Sequence, residues 1–238
     1  QIMDVGTAVT FVKDDERWLG KLIIAAVLVF FSFLLIPIPF LAGYSLAVSR
    51  KVMNGDPEPL PEWDDWGKLF MDGLYVIVAQ FVYTLPFWIL ACIGFVATIG
   101  FGGLSEVSED AAAAGILATF GVMGCLVILL WLALVFITPA IYIQYVRTDE
   151  FGACFRFGEI LGMARDYLGD ILITVVFALV ASLVIGLITG VLSAIPCLGW
   201  ILSLVISALA GPWLLASIGH LYGQIAAKMG GKAEKMAT

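Results

Sequence analysis

Five long apolar runs dominate the chain and predict transmembrane helices. They span about 19–48, 71–101, 112–146, 169–195 and 199–227. A helix needs about 20 apolar residues to cross a hydrocarbon layer of ~30 Å, and each run meets that length. The pattern therefore predicts an all-α fold, a polytopic transmembrane helix bundle that occupies the chain as a single domain, 1–238.

The first apolar run contains a break at Ile36-Pro37-Ile38-Pro39. Proline lacks the amide hydrogen and clashes with the preceding helical turn, so the pair marks a turn or a sharp kink. If the run is one tilted span, the chain crosses the membrane five times and its ends lie on opposite sides. If the run is a helical hairpin, the chain has six helices and both ends lie on one side.

The distribution of basic residues discriminates between these two topologies. No Lys or Arg lies between positions 68 and 147 or between positions 165 and 228. The hairpin topology places all twelve basic residues on one side: Lys13, Arg17, Lys21, Arg50, Lys51, Lys68, Arg147, Arg156, Arg165, Lys228, Lys232 and Lys235. The five-span topology moves the first three to the other side. Because cytoplasmic loops concentrate Lys and Arg, we expect three helical hairpins in the cell membrane, with both termini cytoplasmic.

The opposite side of the membrane then carries only short connections. These are 37–39, the acidic loop Ser105–Asp110 and the turn Pro196–Gly199. The two legs of the first hairpin have about 16 to 19 residues, which is short for a full crossing. We therefore expect this hairpin to be short or re-entrant.

The hairpin topology indicates a weak internal repeat. The repeat-like units are about 1–54, 55–147 and 148–228, and a polar tail, 229–238, follows them. In each unit an amphipathic segment leads into an outgoing apolar helix, and a returning helix follows. We expect the amphipathic segments to lie at the cytoplasmic interface.

The most specific local feature is the segment 54–70, which contains three prolines and a cluster of acidic residues. Pro61 suits the first turn of a new short helix. Trp63, Trp66 and Phe70 would then share one helical face. Since aromatic rings favour headgroup depth, we expect these three residues, with Trp18, to act as membrane-interface anchors. Trp63 and Trp66 would face either the bilayer interface or the bundle.

The same segment carries a family resemblance. The string Leu60-Pro61-Glu62-Trp63-Asp64-Asp65-Trp66, continued by Gly67-Lys68-Leu69-Phe70-Met71-Asp72-Gly73-Leu74, resembles the signature of an uncharacterised family of multi-span membrane proteins of archaea and bacteria. That family is known only as a domain of unknown function. The resemblance implies a polytopic fold and supplies no substrate, cofactor or catalytic residue.

Two acidic residues, Asp72 and Asp170, occupy matching positions where apolar helices begin. A carboxylate in the first turn complements the positive end of the helix macrodipole, which predicts a structural role. The alternative is that these residues bind a cation or pair across the bundle. We expect one of four basic residues within reach of at least one of them: Arg50, Lys68, Arg147 or Arg165. On the structural role, replacement by Asn costs little stability.

Four further polar residues lie in or at the ends of the apolar runs. Gln80, Gln144 and Gln224 either form hydrogen bonds between helices or line a polar interior. His220 is the only histidine and the one weak candidate for binding a cofactor, as an axial ligand of haem or a chlorin. Its other interpretation is a hydrogen-bonded helix residue. One histidine does not build a metal site, so we expect no metal and no cofactor.

Composition narrows the class of function. Hydrophobic residues make up 62% of the chain and the mean hydropathy is +1.05. The net charge of −7 argues against a nucleic-acid partner. No charged residue lies near the middle of a span, which argues against an ion-coupled transporter and against an intramembrane hydrolase.

We therefore expect a non-catalytic accessory or scaffold component, not an enzyme, that binds lipid, a membrane-protein partner or a second copy of itself. The alternative is a transporter or lipid-handling protein with a cavity between the hairpins. A polar central cavity would favour transport. A filled core with an exposed face of small residues would favour a partner role.

Overall fold

The computed structural model describes residues 3–103 and 108–237, so residues 105–107 of the predicted acidic loop lie outside the described residues. Short 3-10 turns occur at Phe11–Asp14, Phe31–Leu34 and Phe151–Phe155. The α-helices are α1, Val5–Thr10; α2, Trp18–Phe30; α3, Pro37–Met53; α4, Trp66–Gly103; α5, Glu109–Thr148; α6, Phe157–Asp166; α7, Leu168–Ser193; and α8, Leu198–Ala237. The predicted all-α fold is confirmed.

Four helices of the described chain, α4, α5, α7 and α8, are long and apolar enough to cross a membrane. A fifth candidate consists of two bent segments, Val5–Asp14 and Trp18–Leu34. Their axes differ by 105°. The first apolar run is divided into α2, with 13 residues, and α3, with 17 residues. The chain reverses at Leu35, whose φ is 64°, and Pro37 opens α3. The predicted short hairpin is confirmed.

The chain forms two compact units. Unit 1 contains Gln1–Ala79 and Pro139–Thr238, and unit 2 contains Gln80–Thr138. Unit 2 consists of the second part of α4 and the first part of α5. These parts border an apolar crevice of about 260 Å³.

Helix α3 is the central packing element of unit 1. It runs parallel to α8, because Ser45 Oγ donates to the Leu215 carbonyl at 3.4 Å and Ser49 Oγ donates to the Gly219 carbonyl at 2.7 Å. A Cβ atom on Gly219 would lie 2.6 Å from the Ser45 carbonyl oxygen, and one on Gly223 would lie 2.6 Å from the Ser49 carbonyl oxygen. Only glycine permits this approach.

Helix α3 approaches α4 as closely. A Cβ atom on Gly43 would collide with the Leu69 carbonyl group, and one on Gly73 would collide with the Pro39 carbonyl group. The pairing of position 43 with 69 and of position 39 with 73 makes these two helices antiparallel. Glycines therefore set the spacing on two sides of α3.

Several charged residues of unit 1 pair with one another at one end, which we call the polar end. It contains the starts of α2, α4 and α7, the last turns of α3 and α5 and the late part of α8, which ion pairs and hydrogen bonds connect. The N-terminal segment also lies there, since Asp4 bonds to Gln224. Outgoing and returning helices thus alternate as the three-hairpin topology predicts.

Within each unit, the long helices expose large apolar side chains. Leu117 is 72% exposed, Val191 is 71% exposed and Phe95 is 68% exposed. Water-soluble monomers rarely expose so much apolar surface. These surfaces are compatible with a multi-pass membrane protein.

The close approach of α3 to α4 predicts that Gly43→Ala destabilises the protein by about 1–3 kcal/mol, because the methyl group must displace backbone. Gly20→Ala is the matched control, since a Cβ there meets nothing within 4 Å. It should be neutral or stabilise α2 by up to about 1 kcal/mol. Thermal unfolding in mild detergent measures both. A Gly43→Ala protein as stable as Gly20→Ala would show that the helices do not pack at this distance.

Candidate functional site

The first ionic cluster at the polar end surrounds Lys21 of α2. Its ammonium nitrogen lies 2.5 Å from Asp15 Oδ2, 2.9 Å from Glu62 Oε1 and 3.0 Å from the Leu60 carbonyl oxygen. The side chains of Lys21 and Asp15 are only 5% and 3% exposed. A buried charge costs several kcal/mol unless it is paired, so these contacts make the position tenable.

The protonation of Asp15 follows from the same contacts. Burial raises its pKa, because the carboxylate loses water. The hydrogen bonds from Lys21 Nζ and from the Arg17 amide together outweigh burial and hold the pKa below its usual value. The stabilisation from Asp15 is therefore present at neutral pH, and it is lost only as the pH falls through that lowered pKa.

The second cluster joins α3, α4 and α5 around Asp72, which is 6% exposed. Arg50 donates to one carboxylate oxygen of Asp72, and the Tyr145 hydroxyl donates to the other at 2.8 Å. Arg50 Nη2 also lies 2.5 Å from Asp149 Oδ1. The guanidinium carbon lies 5.3 Å from the centroid of the Tyr145 ring.

The prediction for Asp72 is half right. Its predicted basic neighbour, Arg50, is confirmed. Its predicted place in a first helical turn is wrong, because α4 begins at Trp66 and Asp72 lies in the second turn. The helix starts before the apolar run, with the Asp65 side chain accepting from the Lys68 amide at 2.9 Å.

The third cluster pairs Asp170 with Lys228. The two side chains approach to 2.7 Å and link the start of α7 to the late part of α8. Asp170 lies in the first turn of its helix, as predicted. Its partner was not among the basic residues expected from the sequence.

The segment 54–65, which we call the strap, runs without helix along the polar end. The predicted short helix from Pro61 is therefore wrong. Trp63 does not share the predicted helical face with Trp66 and Phe70. It stacks on Tyr44, with ring centroids 4.4 Å apart and planes within 5°. Its indole nitrogen donates to the Lys21 carbonyl at 3.0 Å. Burial against Tyr44 holds Trp63 in the core of unit 1, so its ring faces the bundle, one of the two predicted orientations.

The other predicted anchors lie nearer the surface. Trp18 is partly buried against the core. Trp66 is 41% exposed, and its ring centroid lies 5.5 Å from that of Phe40. Phe70 is partly buried on the same partner, at 5.0 Å. The anchoring role of Trp18, Trp66 and Phe70 stays a prediction.

His220 lies under the N-terminal segment and is 5% exposed. Its ring centroid is 4.5 Å from that of Phe11, and its Nδ1 is 3.1 Å from Gln224 Nε2. Gln224 also exchanges two hydrogen bonds of 2.9 Å with the backbone of Asp4. This geometry is that of a hydrogen-bonded helix residue. An external ligand would have to displace the N-terminal segment to reach the ring.

The remaining glutamines also connect segments. Gln144, 3% exposed, donates from its Nε2 to Glu159 Oε2 at 2.7 Å and joins α5 to α6. Within unit 2, Gln80 Nε2 lies 3.5 Å from Thr138 Oγ1. These bonds fit the interpretation of the glutamines as groups that link helices.

An open cleft of about 370 Å³ lies at the polar end between α3, the strap and α4. Its basic lining residues are Arg50, Lys51 and Lys68, and its acidic ones are Glu62, Asp64, Asp65 and Asp72. Ala47, Pro61 and Leu69 complete the wall. The cleft therefore offers both signs of charge beside an apolar surface.

The chemistry of the polar end is dominated by internal pairing. In the part of the chain that the structure describes, no three His, Cys, Asp or Glu side chains are grouped so that they could hold a metal ion. Burial raises the pKa of the Cys154 thiol to about 11, which keeps this cysteine protonated and unreactive. The buried charges form ion pairs and hydrogen bonds that hold the helices together.

The cluster of Lys21, Asp15 and Glu62 was not predicted from the sequence. The available signal was Lys21 itself, which is the only charged residue within the apolar run 19–48. A charge inside such a run needs a partner.

The comparisons with known proteins give one match. The sequence model of the family DUF4013, described as a protein of unknown function, matches residues 26–195. No curated protein and no solved structure shows significant similarity to the chain.

From its sequence position, Asp72→Asn is expected to cost little stability. The contacts of Asp72 in the structure predict a larger loss. Removing the carboxylate leaves a mostly buried guanidinium short of a partner, which costs about 3 kcal/mol. The control is Asp166→Asn at an exposed position, expected to change stability by less than about 0.5 kcal/mol. Chemical unfolding in detergent compares them. Equal stabilities would mean that the Arg50–Asp72 pair contributes nothing.

The stacking of Trp63 predicts that Trp63→Ala costs about 3–5 kcal/mol, since it empties a core position. Trp131→Ala removes an indole that is 58% exposed, and we expect a much smaller loss. Thermal unfolding of the two variants decides the matter. Similar losses would contradict a core position for Trp63.

Proposed function

The chain belongs to the DUF4013 family, and we propose that it is a non-catalytic integral membrane protein, an accessory or scaffold component that binds a membrane-protein partner. One observation carries the proposal. The core of unit 1 is filled with side chains, while a face of small residues on α7 is left open. These are the two features that distinguish a partner role from transport.

The filled core argues against a transport path through unit 1. Tyr44, Leu46, Ile143, Tyr145 and Leu221 are among the fully buried side chains where a pathway would run. The charged groups nearest to them are engaged in ion pairs with one another. A transporter needs polar groups that are free to bind and release cargo.

The open face of α7 contains Ser182, Gly186 and Gly190, spaced four residues apart and all exposed. A Cβ atom on either glycine would meet nothing within 4 Å. Helices in a bilayer associate where small residues let backbones approach. The same spacing at Gly219 and Gly223 is already used inside the protein, against α3.

We also propose an orientation for this component. The polar end collects most of the basic residues, and the positive-inside rule assigns such an end to the cytoplasm. Both termini would then be cytoplasmic and the chain would consist of three hairpin repeats. Helix α6, which leads into α7, has an amphipathic sequence suited to the cytoplasmic interface.

The proposal predicts that Gly186→Leu disrupts a complex that the wild-type protein forms in a bilayer or a mild detergent. The leucine fills the groove between the approaching backbones. Gly121→Leu is the matched control, because that glycine on α5 also meets nothing within 4 Å. Native mass spectrometry after mild solubilisation gives the mass of the complex, which distinguishes a second copy from another protein.

We expect the wild-type protein and the Gly121→Leu variant to retain the complex, and the Gly186→Leu variant to run as a folded monomer. A monomeric wild-type protein would contradict the proposal. So would a complex that survives Gly186→Leu unchanged.

A further inference from the structure

We propose that the cleft at the polar end binds the headgroup of a zwitterionic phospholipid that carries a primary ammonium group, of the phosphatidylethanolamine type. This site is separate from the α7 face, and it does not depend on the proposed partner role. The cleft volume of about 370 Å³ falls in the range of small-molecule sites, ~300–1,000 Å³.

The charge balance of the cleft selects a dipolar ligand. Three of its seven charged residues are neutralised by pairing, since Arg50 pairs with Asp72 and Glu62 pairs with Lys21 and Arg17. Four charged residues remain: Lys51, Lys68, Asp64 and Asp65. Two are positive and two are negative, so the cleft matches a phosphate and an ammonium group together better than it matches either alone.

The available charges are accessible. Lys68, Asp64 and Asp65 are exposed, and Lys68 has no ion pair within 4.0 Å among the described residues. Lys51 Nζ lies 3.6 Å from Asp56 Oδ2 and 2.8 Å from the Glu58 carbonyl oxygen. Its ion pair is therefore looser than those of the buried Lys21. Phosphate oxygens accept from the two lysines, and ammonium hydrogens are donated to the two aspartates.

The surroundings of the cleft favour a lipid over a soluble metabolite. Lys68, Met71 and Val78 lie along one side of α4 at helical spacing, and the latter two are 41% and 40% exposed. Two partly exposed apolar side chains thus follow the charged residue along the helix, where an acyl chain would follow its headgroup. The cleft also lies where apolar helices meet a charged end, which is the headgroup level of a membrane protein.

The test is native mass spectrometry of the purified protein with three added lipids that share acyl chains. Phosphatidylethanolamine supplies phosphate and a cation with N–H donors. Phosphatidylcholine supplies phosphate and a cation without N–H donors, and phosphatidylglycerol supplies phosphate and hydroxyl groups but no cation. We expect phosphatidylethanolamine to be retained about fivefold better than either, the equivalent of an exposed ion pair of up to about 1 kcal/mol.

Two variants assign the preference to the cleft. Lys68→Gln should lower retention of all three lipids by about threefold to fivefold. Asp64→Asn should abolish the preference for phosphatidylethanolamine and leave phosphatidylglycerol unchanged or improved. Arg165→Gln and Asp166→Asn remove exposed charges of α6, outside the cleft, and should change nothing.

Three results would overturn the proposal. One is equal retention of the three lipids by the wild-type protein. Another is a preference that neither Lys68→Gln nor Asp64→Asn alters. The third is displacement of the lipid by an equal concentration of soluble phosphoethanolamine, which would assign the cleft to a free metabolite. The first and third use the wild-type protein alone, so they decide even if a variant fails to fold.

Discussion

A charge taken out of water must be matched by an opposite charge and by hydrogen bonds, and the arrangement of this protein depends on that constraint. Each of its three ionic clusters links segments that are distant in sequence. Lys21 binds the strap to α2, Asp72 joins three helices, and Asp170 joins α7 to α8. Because all three lie at the polar end, the helices start and stop in a common layer.

The positions of the long helices could be predicted from the sequence, because an apolar run of about 20 residues has few alternatives in lipid. Proline at position 37 similarly marked the break of the first run. The strap could not be predicted in the same way. Pro61 and the acidic residues suited a helix start locally, but stacking on Tyr44 made an extended course more favourable for Trp63. Local sequence preference thus determined the long helices and the break at Pro37, whereas tertiary burial determined the course of the strap.

The same distinction applies to the candidate site. The place of Asp170 followed from its distance to the start of an apolar run. The partner of Asp170 did not, because Lys228 lies 58 residues further along the chain and only the fold brings them together. The glycine pair at 219 and 223 looked no different in sequence from the pair at 186 and 190. Packing against α3 uses one pair and leaves the other exposed, and this difference supports the proposed partner role.

The proposed orientation places the polar end on one side of the membrane, with both ends of the chain there. Labelling of intact cells with a membrane-impermeant maleimide tests it most directly, and exposed Cys197 is a native reporter for the opposite side. Lys13→Cys and Arg165→Cys are introduced singly, with Cys197 replaced by Ser. We expect Cys197 to react in intact cells, and positions 13 and 165 to react only after the membrane is opened. Reaction of positions 13 and 165 from opposite sides would contradict the account.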